Sequence, residues 1–372
     1  MGAVQRVLGY LVLVTALSTA GVQAQALDSP LILWSRGDLY RATALDAPPE
    51  RLTEDGTISG PALAPNGQWI AYKIASPVGL EALSRVQVEG FIAAFDLPAD
   101  IVLYDVASGE AIPLTTQPAD AALFVEGKLD RAVLRSAPAW SPDSTQVAWV
   151  EVDYPNGTAR LVLYAVAQAQ SRLLAALPPQ PNRLVPLNLV WGAGGIAVDL
   201  SPDAASAQYH VVYDPVGGQP TGAVGVAAVT GNSVRLTTWV VDPAGRALLG
   251  LLYESGGWTL VDPDDNVPAL YADLPALRTR AESSWLLRFG VDPSLGFYWE
   301  IGGSNAAAAG APNGVALSPD GEKLAVVGQP ANGVASIYDG AAMIALPGTG
   351  SGEDEIPVGA VLWGPMEWAL GG

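Results

Sequence analysis

The sequence predicts an all-β chain folded as a β-propeller of six four-stranded blades, with a degenerate seventh blade as the alternative. Three observations carry this. A turn phrase recurs along the chain, at Leu63-Ala64-Pro65-Asn66-Gly67, Trp140-Ser141-Pro142-Asp143-Ser144 and Leu317-Ser318-Pro319-Asp320-Gly321. A strand carrying tyrosine, usually followed by aspartate, comes after each turn, and both ends of the chain read as half-repeats. Self-similarity at such a period marks a supersecondary unit that buries its faces only by stacking on copies of itself.

Residues 1–26 read as a secretory signal peptide. Arg6 precedes an apolar run from Val7 to Leu17, and small residues at Val22-Gln23-Ala24 and Ala24-Gln25-Ala26 suit cleavage near Ala24 or Ala26. The expectation is a secreted, periplasmic or extracellular protein, with an uncleaved anchor as the alternative. Residues 27–372 then form one propeller domain.

The first half-repeat follows, with Gly37-Asp38-Leu39-Tyr40 as a third strand and Arg51-Leu52-Thr53 ending a fourth. The unit turns are centred on Pro65, Pro142, Ala193, Pro243, Pro319 and Pro365. Their spacing is close either to the roughly 40–50 residues of one blade or to a blade with an insertion. In Ser318-Pro319-Asp320-Gly321 the proline presets φ, the serine and aspartate bond nearby backbone, and glycine closes the turn without a Cβ clash. The runs after the turns, Ile70-Ala71-Tyr72, Val147-Ala148-Trp149, Leu249-Gly250-Leu251 and Leu324-Ala325-Val326, suit strands buried on both faces. The units at Trp191-Gly192-Ala193-Gly194-Gly195-Ile196 and Trp363-Gly364-Pro365-Met366 lack two turn residues and predict a tighter bend.

Tyrosine strands stand at Leu103-Tyr104-Asp105, Leu163-Tyr164-Ala165, Val212-Tyr213-Asp214 and Ile337-Tyr338-Asp339, with Leu260-Val261-Asp262 as a divergent copy. Ala360 to Leu370 reads as an opening strand and turn with no tyrosine strand after it. Pairing of the N- and C-terminal strands would complete one blade and remove exposed edges. Both Leu31 to Ser35 and Trp368 to Leu370 suit its second strand.

With these phrases in view, the chain resembles the WD40-like repeats of the TolB family of exported propellers. The resemblance covers nearly all residues after the leader and implies fold, since the motif is a structural turn that carries no chemistry. Units three, four and six depart from its pattern.

Insertions are read at 77–98, 116–136 and 271–312, and strand connectivity puts all three on one rim, opposite the Pro-Asp turns. Scaffolds place function on such loops. The first holds Leu80, Leu83, Val86, Phe91, Ile92 and Phe95 among few charges, which reads as a partner surface or as residues pinning the loop to the ring. The third holds Trp285 and Trp299 in two aromatic runs that read as a strand pair or the core of a seventh blade.

Chemistry is scarce in this chain. Its formal charge of −19 excludes nucleic acid as a partner, and the absence of cysteine excludes disulfides and thiolate metal sites. His210 is the only histidine and reads as a structural polar residue in a strand. Asp262, Asp264 and Asp265, and Glu353-Asp354-Glu355, are oxygen-rich loops that read as solvated turns or weak calcium candidates, without the spacing of an EF-hand. Asn156-Gly157-Thr158 fits a two-residue hairpin turn or a glycosylation acceptor. No catalytic motif is present. The expectation is a non-enzymatic, monomeric scaffold binding a protein or cell-envelope component through the inserted-loop rim. The alternative is a propeller enzyme or a calcium-assisted glycan or small-ligand module using the central channel.

Overall fold

Apolar residues on both sides of a strand need a cover on both sides, and the chain supplies it by stacking sheets. The computed structural model describes residues 26–81, 97–125, 128–153, 156–179, 189–192, 195–200, 209–225, 235–241, 247–254, 257–261, 268–271, 287–292, 296–301, 314–317, 323–327, 333–338, 343–363 and 366–368. Residues 1–25, nearly all of the segment expected to be a leader, lie outside them.

The chain begins with β1 (Ala26–Ser35), β2 (Asp38–Ala44) and β3 (Glu50–Arg51). A second sheet holds β4 (Ile58–Leu63), β5 (Trp69–Ala75), β6 (Ala99–Asp105) and β7 (Ala111–Pro113). After a hairpin of β8 (Ala122–Val125) and β9 (Lys128–Asp130) comes a third sheet. It is built from β10 (Val133–Arg135), β11 (Ala139–Trp140), β12 (Gln146–Asp153), β13 (Thr158–Ala165) and β14 (Gln170–Leu177). The fourth sheet is β15 (Leu189–Gly192), β16 (Gly195–Leu200), β17 (Tyr209–Tyr213) and β18 (Pro220–Gly225). The fifth is β19 (Arg235–Val241), β20 (Ala247–Glu254), β21 (Gly257–Val261) and β22 (Pro268–Tyr271). A strand pair, β23 (Leu287–Asp292) with β24 (Gly296–Ile301), precedes the sixth sheet of β25 (Gly314–Leu317), β26 (Leu324–Val327), β27 (Ala335–Tyr338) and β28 (Met343–Ala345). The chain closes with β29 (Ala360–Leu362) and β30 (Met366–Trp368).

Among the described residues there are thus six sheets of four or five strands and two strand pairs. Every pairing within them is antiparallel, and all but β29 with β1, β25 with β30 and β10 with β12 join strands successive in the chain. First strands of successive sheets lie side by side, β4 against β11, β11 against β15 and β25 against β29. First strands lying side by side, each opening a meandering sheet, are the pattern of a β-propeller.

The two termini meet in one sheet, ordered β29-β1-β2-β3. Ile32 pairs with Leu362 and Trp34 with Ala360, so β1 is the second strand of this sheet. β30 goes elsewhere, adding to β25 in the sixth sheet through Val315 opposite Trp368. Of the two segments that suited the second strand, the N-terminal one holds the place. The C-terminal phrase therefore does not bend back as a hairpin within one blade.

Alternation along each strand divides its side chains between two interfaces. In β12, Val147 and Trp149 pack with Ala71, Ile101 and Leu103 of the second sheet, whereas Ala148, Val150 and Val152 pack with Ile196 and Val198 of the fourth. In β6, Val102 and Tyr104 turn the other way, toward Ile32 and Leu39 of the first sheet. Leu31 and Leu33 complete the series by packing with Ala325, Val327 and Ile337 of the sixth. Small residues at Ala71, Ala148 and Ala325, all buried, let the sheets approach. Tryptophans pin adjacent sheets through their indole N–H, Trp140 to the Ala62 carbonyl at 2.9 Å and Trp34 to that of Ile58 at 2.7 Å.

The repeat phrase folds as its chemistry requires. Ser141 Oγ accepts the amides of Thr145 (3.1 Å) and Gln146 (2.9 Å), and its hydroxyl donates to Asp143 Oδ1 at 2.7 Å. Partial burial raises the Asp143 pKa, but the bonds from Ser141 and Thr145 outweigh it and hold the carboxyl below its ordinary value. Ser144 has φ 62°, the left-handed position that Gly67 occupies at 72° in the preceding unit. The shortened phrase behaves as expected: Gly192 pairs with Gly195, leaving two residues in the turn, against four between the bonded Ser141 and Gln146.

One turn differs from its reading. Asn156-Gly157 does join the second and third strands, but the last pair is Asp153 with Thr158, so four residues rather than two make the loop. Gly157, at φ 69°, donates its amide to the Asp153 carbonyl. Pro155 has no N–H with which to close a shorter turn.

Candidate functional site

The long connection between β5 and β6 is closed at its root. Ala75 pairs directly with Ala99, and the next residue, Ser76, donates its amide and hydroxyl to the Pro98 carbonyl at 3.1 and 2.7 Å. A helical turn over 77–81 starts here, with Leu80 N bonded to Ser76 O and Gly79 N to Ser76 Oγ. A Cβ on Gly79 would strike the Pro98 carbonyl, so only glycine lets the two ends of the loop come together. Of the apolar residues expected to form a surface, Leu80 is 44% exposed. Leu83, Phe91 and Phe95 lie outside the described residues.

Next to this root, at Ala99 and Asp100, sits a buried ionic network that periodicity alone did not single out. Arg135, at the end of β10, has a side chain only 4% exposed. Its Nε donates to Glu151 Oε1 (2.9 Å), Nη1 to Asp100 Oδ1 (2.9 Å) and the Ala99 carbonyl (2.8 Å), and Nη2 to the Thr116 carbonyl (3.2 Å). Glu151 also accepts Trp149 Nε1 at 3.1 Å and Arg160 Nε at 2.7 Å. Burial pushes the Glu151 pKa up, but the charge of Arg135 and the bonds from Arg135, Trp149 and Arg160 prevail and leave it lowered. Asp100 goes the other way, because burial there outweighs Arg135, Gln117 and Thr115 and raises its pKa.

Gln117 extends the network sideways. Its amide group donates to the carbonyls of Ala99 and Val133, and its Oε1 accepts the Val133 amide at 2.9 Å. The roots of the 77–98 and 116–136 segments are thereby tied to the same point on the second and third sheets. A charged residue inside an apolar strand, Glu151 in Val147-Ala148-Trp149-Val150-Glu151-Val152, is the sequence signal that could have found it.

The other candidates are dispersed. Trp299 lies in β24 opposite Phe289, in the strand pair expected for that segment, while Trp285 lies outside the described residues. His210 lies in β17, opposite Asp199 on one side and Val224 on the other. Asp262, Asp264 and Asp265 lie outside the described residues. In the second acidic loop the Glu355 carboxylate accepts the Gly352 amide at 2.7 Å, and Glu353 and Asp354 are exposed. Among the described residues no three His, Asp or Glu side chains are grouped to hold a metal ion. Nor is any of their helices long and apolar enough to cross a membrane.

The residues define a β-propeller with an anchored loop root between β5 and β6. No protein-family model matches the chain, and no curated protein matches its sequence. Solved structures similar to it include TolB from Acinetobacter baumannii, at 14% identity over 91% of this chain and 66% of that one, with a TM-score of 0.45. An oligogalacturonate lyase in complex with manganese is 12% identical over 81% and 68%, at 0.44. A chain of the nidogen/laminin complex is 11% identical over 92% and 98%, at 0.42. The chain spans just under two thirds of the TolB structure.

Proposed function

We propose that this chain is an exported, non-enzymatic β-propeller that binds a protein or cell-envelope component through the rim carrying its inserted segments. The observation that carries this reading is the root of the 77–98 segment. Its ends are sealed by Ser76, Gly79 and Pro98, so the segment is an excursion that the ring does not need for its own pairing. The Arg135 network holds the start of the next insertion beside it, which favours one composite surface over two independent loops. The leader-like residues before Leu27 supply the case for export.

Replacing residues 77–97 by a four-residue hairpin loop tests it. The chain from Leu27 and the shortened variant are used side by side for affinity capture from a native envelope extract, read by mass spectrometry. A stoichiometric protein or envelope component held by the first and lost by the second is the expected result. Identical capture by both overturns the reading.

A further inference from the structure

One strand stands outside the repeating plan. β30 lies on the inner side of β25, the side away from β26, with Val315 opposite Trp368, Ala316 opposite Glu367 and Leu317 opposite Met366. Among the described residues no other first strand has a strand on that side. The fold does not call for one: β15 is four residues long and regular, like β25, and among the described residues its inner side has no strand partner. The longer first strands are interrupted. β4 has a register shift between Ser59 and Ala62, β19 has two shifts, and the first strand of the third sheet is split into β10 and β11 around Ser136-Ala137-Pro138. β25 pairs with β26 from Gly314 to Leu317 without a shift, so its inner edge keeps an even row of backbone groups that another strand can meet.

β30 is also separate from the closure of the first sheet. β29 makes that closure, with Val361, Leu362 and Trp363 all buried. Gly359 donates its amide to the Trp34 carbonyl at 2.9 Å, and Trp363 Nε1 donates to Ser29 Oγ at 2.9 Å. The chain is fastened at Trp363, and β30 comes after the fastening, beside β19 as well as β25. A strand of three paired residues beyond an anchor opens at little cost to the rest.

We infer that the inner edge of β25 is a strand acceptor held shut by residues 366–368 of the same chain, an autoinhibitory strap. With the strap released, the edge takes an incoming extended segment through main-chain hydrogen bonds, the mode in which it already holds β30. With the strap seated, such a segment competes against a tethered strand whose effective concentration is about millimolar. The edge is distinct from the inserted segments, and the inference stands without the rim proposed above.

The test uses the chain from Leu27, a variant ending at Trp363, and a labelled peptide of residues 364–372. A control peptide carries proline in place of both Glu367 and Trp368. Neighbouring residues of a strand present their amides to opposite sides, so this pair of changes removes a donor whichever side faces β25. In the shortened chain, hydrogen exchange over residues 314–317 is expected to quicken at least about tenfold, with residues 31–35 still protected. The 364–372 peptide should restore slow exchange over 314–317, the proline peptide should not, and the intact chain should bind the first peptide at least about tenfold more weakly than the shortened one. Loss of protection over 31–35 would make β30 a structural part of the closure and overturn the inference. Unchanged exchange over 314–317, no restoration by the peptide, equal restoration by the proline control, or equal binding to both chains overturns it as well.

Discussion

Glu151 and Arg135 show why a buried ion pair is costly to break even when it contributes little while intact. Each charge has been taken from water, and what compensates it is the full set of partners at 2.7–3.2 Å. Removing one side by Glu151→Ala leaves Arg135 with Asp100 alone among its carboxylates, and is expected to cost about 3 kcal/mol in urea unfolding. The pH dependence follows from the lowered Glu151 pKa. Its contribution is complete above its ordinary value of 4.5 and is lost as pH falls through the lower folded value. Asp100, raised by burial, has the opposite sign, so Glu151→Gln should flatten the acid limb of the stability curve and Asp100→Asn should not. Ser144 offers a finer comparison. Its φ of 62° costs an L-residue about 1 kcal/mol, while its Oγ accepts the Asn66 amide of the neighbouring turn at 3.0 Å. Ser144→Ala loses the bond and keeps the strain, whereas Ser144→Gly loses both, so the glycine variant should be the more stable by about 1 kcal/mol in the same assay. Residue-scale chemistry was legible where it was local, as in the Ser141 and Asp143 turn. The Arg135 network was not, because it joins residues from 99 to 160 whose proximity no single stretch of chain encodes.

The strands were legible wherever apolar residues alternated between two turns. The tyrosine strands at Tyr40, Tyr104, Tyr164, Tyr213 and Tyr338 all lie in the third strand of their sheets, and the shortened phrase at Trp191 gives a two-residue turn. What pattern did not reveal was partner choice. β29 and β30 belong to one short phrase, yet they pair in different sheets, because β1 already fills the place beside β29. The loop root at Ser76 was equally hidden, since a hydroxyl bridging to residue 98 leaves no periodic mark. Its consequence is testable. Gly79→Val should open the root, speeding proteolysis at 77–98 while lowering the midpoint of global unfolding by only a few degrees.

At the scale of the whole molecule, the second and third sheets each pack between two others, so stability is shared between neighbours as in other repeat folds. The fold class was readable because repetition multiplies a weak signal. The expectation of a single inserted-loop rim rests only on interruptions of that repetition. Truncation after residue 359 removes β29 and β30 and leaves β1 with an unpaired side. Such a chain should lose hydrogen-exchange protection first in β1 and β2, with β12 and β13 still protected, and should associate through the open edge. The pairing of Ile32 with Leu362 also imposes an order in time. Made in chain order, β1 stays without its inner partner until β29 has been synthesised. Loop closure over such a span is slow. β1 is thus expected to settle late, only once residues 360–362 are available to pair with it.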